Sequence, residues 1–445
     1  MNQINRVPIY NLNAVLRETG LSADVLRVWE RRYDLPKPKR TPGRHRQYSD
    51  YDVATIKWLQ ARQEEGFSIS HAVKLWNELV ESGQDPFAKY GQEFFQGNIP
   101  TTITHNRLEI LRKNWLNACL EFDTGKAEKS LNHAFGLFPV ETVCYEIIQK
   151  GLSEIGTLWH QGKASVQQEH FATALVMRRI ETIISTTPNP TRDQKILAGS
   201  PSGEWHVFPI LMLTLLLRRK GFDVINLGAN IPLEQMEKAA EAIQPNLIIM
   251  AAQQFSTATS LRSAAIFFHQ LNLPMAYGGL IFNRIPDLRA KIPAYFLGEE
   301  LSHAIEAIEE LFVSPPDIFI EDSPEDIHQS TAIAYRHKII QIEASAMDQL
   351  YRYGLTADYL SEVNSFFSAD ILAALEFGNL RWIETDFEWV KKMFTDRHIP
   401  GSALIDYLRA FNEAIQLHLG QDGRLITEWL NTYLSNHQVL ESRIG

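Results

Sequence analysis

Cysteine is nearly missing from this chain, with two residues in 445, Cys119 and Cys144. Both fall inside helical patterns, which excludes a disulfide framework and makes a reducing cytoplasm the expected setting. Long apolar runs are missing too. No stretch of about 20 apolar residues is available to span a bilayer, so no membrane is expected as a partner. The start, Met1-Asn2-Gln3-Ile4-Asn5-Arg6, lacks the apolar core of a secretory signal. No catalytic triad, phosphate loop or kinase motif is found, and nothing reads as an enzyme. Positive charge is in deficit overall, at a net −10, which taken alone argues against nucleic acid.

Residues 1–50 reverse that balance, with ten Lys/Arg against five Asp/Glu. A local basic excess in an acidic chain is the footprint of a nucleic-acid-binding end. The length calls for several domains, and the patterning suggests four. Residues 1–80 alternate short helical patterns with a turn-rich stretch. Residues 105–187 carry four amphipathic helical patterns, one near Lys126 to Phe135 with Gly136 as its expected stop, and read as a four-helix bundle. Residues 194–313 alternate strand and helix, beginning with Lys195–Gly199, which predicts a doubly wound parallel, Rossmann-like sheet. After a proline-rich linker, residues 326–437 read as entirely helical. The fold class is thus multidomain, α and α/β.

Within the first segment, Val15 to Gly20 and Leu21 to Tyr33 read as helix, tight turn and second helix, with Ser22 as N-cap. The second helix offers Arg27 and Arg31 to phosphates or base edges. Thr41-Pro42-Gly43-Arg44-His45-Arg46-Gln47-Tyr48 follows as a basic hairpin able to lie on the DNA backbone, with Arg44, His45, Arg46 and Tyr48 as the contacting residues. The run Leu26-Arg27-Val28-Trp29-Glu30-Arg31-Arg32-Tyr33, then Gly43 to Tyr48 and Asp52-Val53, closely resembles the MerR family of winged helix-turn-helix regulators. That resemblance covers about the first 76 residues and implies dimers on pseudo-palindromic promoter DNA.

The loop after the first strand of the predicted sheet holds Glu204-Trp205-His206. Doubly wound sheets bind ligands outside the carboxyl ends of their strands. An imidazole there suits a transition metal, and a neighbouring carboxylate can set its tautomer. Upstream, Trp159 and the pair Glu169-His170 supply a large aromatic, a carboxylate and a second imidazole. Together the two clusters are able to hold a flat metal cofactor from both faces. Gly278-Gly279 after a later strand permits close backbone approach.

A helical bundle followed by this sheet, with Glu204, His206 and the glycine pair, resembles the cobalamin-binding module of methionine synthase and related proteins. The resemblance implies that His206 is the lower axial ligand of cobalt and that the nucleotide tail lies in a crevice of the sheet. The chain departs from that pattern in three places. Glu204 replaces an Asp, Pro209 replaces a Gly, and Ala251-Ala252-Gln253-Gln254 stands where a Ser is usual. The spacing from Trp159 to Glu169-His170 resembles the CarH-type light-sensing regulators. This implies adenosylcobalamin, with Trp159 and Glu169 on the adenosyl group and His170 as the ligand that takes the upper cobalt position after photolysis.

The resulting expectation is a light-responsive, cobalamin-dependent transcriptional regulator acting as a homo-oligomer, dimer or tetramer. Three alternatives stay open: a light-independent sensor of cobalamin or another tetrapyrrole (a bilin), a corrinoid component of a methyltransferase, and a regulator that binds no cofactor. In the last segment Phe366, Phe367, Phe377, Trp382, Phe387, Trp389, Phe394 and Trp429 suggest a buried helical core for oligomerisation. A second tetrapyrrole chromophore among them is the other reading.

Overall fold

Two caps set back to back make the first turn of the molecule. Helix α1 (Leu12–Thr19) starts where Asn11 accepts the Ala14 N–H at 2.9 Å and stops at Gly20, whose φ of 69° is left-handed. Ser22 then caps helix α2 (Ala23–Tyr33) through the Val25 N–H. Strands β1 (Tyr10–Asn11), β2 (Lys39–Arg40) and β3 (Arg46–Tyr48) form an antiparallel sheet in the order β1-β3-β2. Helices α3 (Asp50–Glu64) and α4 (Ile69–Glu81) complete a small core around Leu26, Trp29, Trp58 and Trp76, the last two edge to face at 5.1 Å.

This computed structural model describes residues 8, 10–40, 46–64, 67–81, 86, 101–318, 325–352, 360–387, 390–391 and 402–441. It divides into two compact units, Met1–Asn106 and Arg107–Gly445.

The second unit opens with helices α5 (Thr101–Leu120), α6 (Thr124–Leu137), α7 and α8 (Val166–Ser185). Helix α7 joins Val140–Val143 and Lys150–His160 through a π-helical turn, Cys144–Gln149. The expected stop at Gly136 is corrected: α6 runs through it to Leu137 and ends ahead of Pro139, whose ring restricts the residue before it.

A five-stranded parallel sheet follows. Its strands are β4 (Lys195–Gly199), β5 (Asp223–Asn226), β6 (Leu247–Ala251), β7 (Met275–Gly278) and β8 (Tyr295–Phe296), in the order β5-β4-β6-β7-β8. The helices between them are α9 (Phe208–Arg219), α10 (Met236–Ile243), α11 (Phe255–Gln270), α12 (Leu280–Arg284) and, after β8, α13 (Leu301–Leu311). Side chains alternate across the strands, so Ile196, Ala198 and Ile249 join one core with α9, α13 and the preceding helices. Leu197, Ile248, Met250 and Tyr277 join the opposite core with α11.

That second core continues into α14 (Asp326–Arg352), α15 (Leu360–Phe377), α16 (Ser402–Leu419) and α17 (Arg424–Glu441). The C-terminal helices therefore do not stand apart. Helix α15 packs on α11, and Phe377 stacks on Phe255 with ring centroids 6.0 Å apart. One further tie reaches the same end of the sheet: Arg284 pairs with Asp386. Among the described aromatics, Phe367, Phe387 and Trp429 are buried against one another, Phe377 is buried against Phe255 and Trp382, and Phe366 is exposed. Trp389 and Phe394 lie outside the described residues.

Candidate functional site

The strand order reverses at β4, and the loop after β4 holds the principal cluster. Glu204 is 0 % exposed, yet its carboxylate accepts four hydrogen bonds. One oxygen takes the His206 backbone N–H at 2.9 Å and His206 Nδ1 at 2.7 Å. The other takes the Gln253 N–H and the Thr257 hydroxyl, both at 2.7 Å. Burial works against ionisation, but these donors win and hold the Glu204 carboxyl down at about 2. An ionised carboxylate only accepts, so Nδ1 of His206 carries a proton, and in the neutral imidazole Nε2 keeps the lone pair. The His206 side chain is 57 % exposed.

The loop is strapped down on both sides. Asn230, after β5, accepts the Gly203 N–H at 2.8 Å and donates its own N–H to the Glu204 carbonyl at 2.9 Å. Gln253 and Thr257, after β6, hold the other side. Sequence reasoning missed these three residues. Thr257 is the consequential one, because its hydroxyl completes the relay His206–Glu204–Thr257 from the first turn of α11. Its only signal in the sequence was its place just beyond a strand at the switch point.

Trp159 ends α7, half-buried, with its ring 4.6 Å from that of His160. A short turn through Gly162 leads to Ser165, which forms a capping box with Gln168 and so fixes the first turn of α8. Glu169 on that turn accepts His170 Nδ1 at 2.7 Å and the Thr173 hydroxyl at 2.8 Å. The His170 side chain is 75 % exposed. Helix α8 packs against α9, which begins just after His206. The two clusters meet electrostatically: Glu204 mainly, and Glu169 in addition, raise the His206 pKa against the effect of burial.

The glycine pair divides into two roles. Gly279 has φ 130°, and a Cβ there would come within 1.8 Å of the Ala252 carbonyl oxygen, so only glycine fits. A Cβ at Gly278 would meet nothing within 4 Å, so there is open space beside the end of β7.

In the N-terminal unit, Arg27 and Arg31 are exposed on α2, Arg27 lying 3.5 Å from the more exposed Asp24. Two hairpin expectations are corrected. Tyr48 is 0 % exposed and donates its hydroxyl to Glu30 at 2.5 Å. Arg46 donates to the other Glu30 oxygen at 2.7 Å, so both residues brace the hairpin to α2. Arg44 and His45 lie outside the described residues.

Comparison with known proteins matches residues 10–79 to the MerR HTH family regulatory protein model. Residues 111–184 and 194–307 each match a B12 binding domain model. The HTH-type transcriptional repressor CarH of Myxococcus xanthus is 30% identical over 277 residues, covering 61% of this chain and 88% of CarH. The chain belongs to the MerR-family regulators that bind cobalamin. A second repressor in this family, CarA of Myxococcus xanthus, is 27% identical over 280 residues, 60% of this chain and 86% of CarA. The B12 region also aligns with dimethylamine corrinoid protein 1 of Methanosarcina acetivorans, 24% identical over 119 residues, 25% of this chain and 56% of that protein.

The regulator's own residues fit that cofactor. One imidazole, held by its far nitrogen, serves a metal that brings its equatorial ligands with it. Beside it, at the carboxyl ends of β4 and β6, Ser200 Oγ and Gln253 Nε2 are buried without a protein partner among the described residues. Such atoms call for a ligand, and Gly278 opens the neighbouring strand toward one. Pro209 does not obstruct the loop, since it lies in the first turn of α9, where a missing N–H costs nothing.

Proposed function

We propose that this regulator switches its oligomeric state and its grip on promoter DNA in response to adenosylcobalamin and light. The observation that carries the reading is the Glu204–His206 pair, with Nδ1 held by the carboxylate and Glu169 close enough to act on the imidazole. The bound cofactor supplies a cobalt centre with a light-labile cobalt–carbon bond. His206 holds the lower face, and Glu204, anchored by Thr257 and Gln253, orients that imidazole. Trp159 offers an apolar platform and Glu169 a carboxylate for ribose hydroxyls on the upper side. His170, tethered through Nδ1 to Glu169, keeps Nε2 available as the replacement ligand. An exchange of ligand involving α8 and the loop after β4 would be the differential interaction a population shift requires.

Arg27 and Arg31 contact DNA, and the oligomer places two such helices on one promoter. The C-terminal aromatics are engaged with one another, so this reading needs no second chromophore. A methyltransferase role, suggested by the corrinoid-protein relatives, leaves the DNA-binding unit without a purpose.

The test is the absorption spectrum of the purified protein with adenosylcobalamin, before and after green light, with size-exclusion chromatography on both samples. A bound corrinoid spectrum that changes with light, together with oligomer size, is the expected result. A bound corrinoid with no change in size on illumination points instead to a light-independent sensor. Failure to bind, or binding unaffected by His206→Ala, overturns the cofactor site.

A further inference from the structure

Helix α14 (Asp326–Arg352) has two apolar faces where a bundle helix needs one. The inner face is spent: Tyr335, Ile342, Ala346 and Leu350 are each 0 % exposed in the core shared with α11. Its neighbours α15 and α16 pack on that side. The outer face carries Ile333, His337, Ile340, Ala344, Met347 and Tyr351, at alternating steps of four and three residues. That is the spacing of a coiled-coil seam. Met347 is partly buried and the other five are exposed, Ile333 and Tyr351 at 56% and Ile340 at 76%. Single exposed apolar residues need no explanation, but a continuous seam roughly 27 Å long, at 1.5 Å per residue, does.

We propose that this face of α14 is a self-association surface whose occupant is α14 of a second copy, running antiparallel. The seam is complementary to itself about a two-fold axis passing near Ile342. In that register Ile333 meets the partner's Tyr351, Ile340 meets the partner's Ala344, and His337 meets the partner's Met347 beside the partner's Asp348. Large residues face small or flat ones in each apolar layer, and an imidazole lies next to a carboxylate. A parallel pairing instead sets Ala344 on Ala344, leaving a void, and His337 on His337. Toward the N-terminus the register is bounded, because the next seam position is the exposed Ser330. A sliding pair loses apolar layers at once.

The surface lies beyond the family-matched segments, which end at residue 307. Pairing through this face involves none of the cofactor-site residues and is independent of the light switch. A contact of this length is smaller than a standard interface, so its dissociation constant is expected on the order of 1–100 µM.

Two measurements on the full chain, in the dark and without cobalamin, test it. Ile340→Glu is expected to lower the weight-average mass below that of the wild type at about 100 µM in ultracentrifugation, with an unchanged melting temperature because Ile340 is exposed. Unchanged mass at a protein concentration where the wild type is assembled overturns the proposal, as does a wild type that is monomeric at 100 µM. Cysteine crosslinking reads the register, against a background of two buried native cysteines. Mixing Ile333→Cys protein with Tyr351→Cys protein is expected to give an oxidised covalent dimer of one chain of each, while neither variant crosslinks to itself. Self-crosslinking of Ile333→Cys means a parallel pair, and an absence of crosslinks in every sample removes the pairing altogether.

Discussion

At the scale of single residues, the site is governed by one buried carboxylate. Glu204 is held near 2 and His206 is raised, so the two respond to pH in opposite senses. The Glu204 contribution to stability is complete above the ordinary glutamate value and is lost as pH falls toward 2. That of His206 is complete below its ordinary value, about 6.5, and is lost as pH rises through the raised folded value. The empty pair is therefore strongest between about 4.5 and 6.5, taking the ordinary values of the two groups. Metal ligation needs the neutral imidazole, so it strengthens with rising pH. A pH titration of the corrinoid spectrum should show the His206-ligated form giving way as pH falls, at a midpoint that moves in Glu204→Gln, since the carboxylate acts on the imidazole. The same midpoint in both proteins removes the role given to Glu204. The glycines make a paired prediction. Gly279→Ala forces a Cβ onto a backbone carbonyl at positive φ and should cost about 2–4 kcal/mol in urea melts. Gly278→Leu should melt like the wild type, because nothing lies within reach, yet lose at least tenfold in cobalamin affinity. A Gly278→Leu protein that binds normally places the tail elsewhere.

At the scale of elements, the DNA-binding helix is aimed by its neighbours. Glu30 ties α2 to the hairpin through Arg46 and Tyr48, which leaves Arg27 and Arg31 on the outer face. If both arginines neutralise phosphates, each single alanine variant should lower the slope of log affinity against log salt by about 0.9. Fluorescence anisotropy with promoter DNA across a salt series measures it. A slope identical to the wild type in both variants shows that α2 does not touch the phosphates. The capping box at Ser165 plays the matching part in the bundle. It starts α8 at a set residue and so determines which side chains occupy the first turn, Glu169 and His170 among them.

At the scale of the molecule, the sheet is a middle layer. One face carries the bundle that precedes it, and the other carries the C-terminal helices. Phe377 on Phe255 and Asp386 with Arg284 join those helices to α11 and α12, the helices after β6 and β7. Thr257 lies in the first turn of α11, and Gln253 and Gly279 lie just ahead of these two helices. A chain ended at residue 318 should therefore expose the side of α11 that carries Phe255 and Arg262, which Phe377 covers. It should bind a hydrophobic dye and melt at least about 5 °C lower. A truncated chain as stable as the full one means the C-terminal helices are an independent module.

The sequence by itself determined the order of elements, because periodicity and caps are local: alternating strands and helices, Ser22 and Ser165 at helix starts, and a basic first fifty residues. It also placed His206 after a strand end and paired it with Glu204, two residues away. Contacts between distant segments were invisible to it. That Tyr48 turns inward depends on Glu30, eighteen residues earlier and on another element. That Thr257 completes the His206 relay depends on the sheet bringing β6 beside β4. That the C-terminal helices share the sheet's core depends on α11 being apolar on the side facing away from the strands. Hydrogen bonds and packing act over a few ångströms in space, and only the tertiary structure decides which residues come that close.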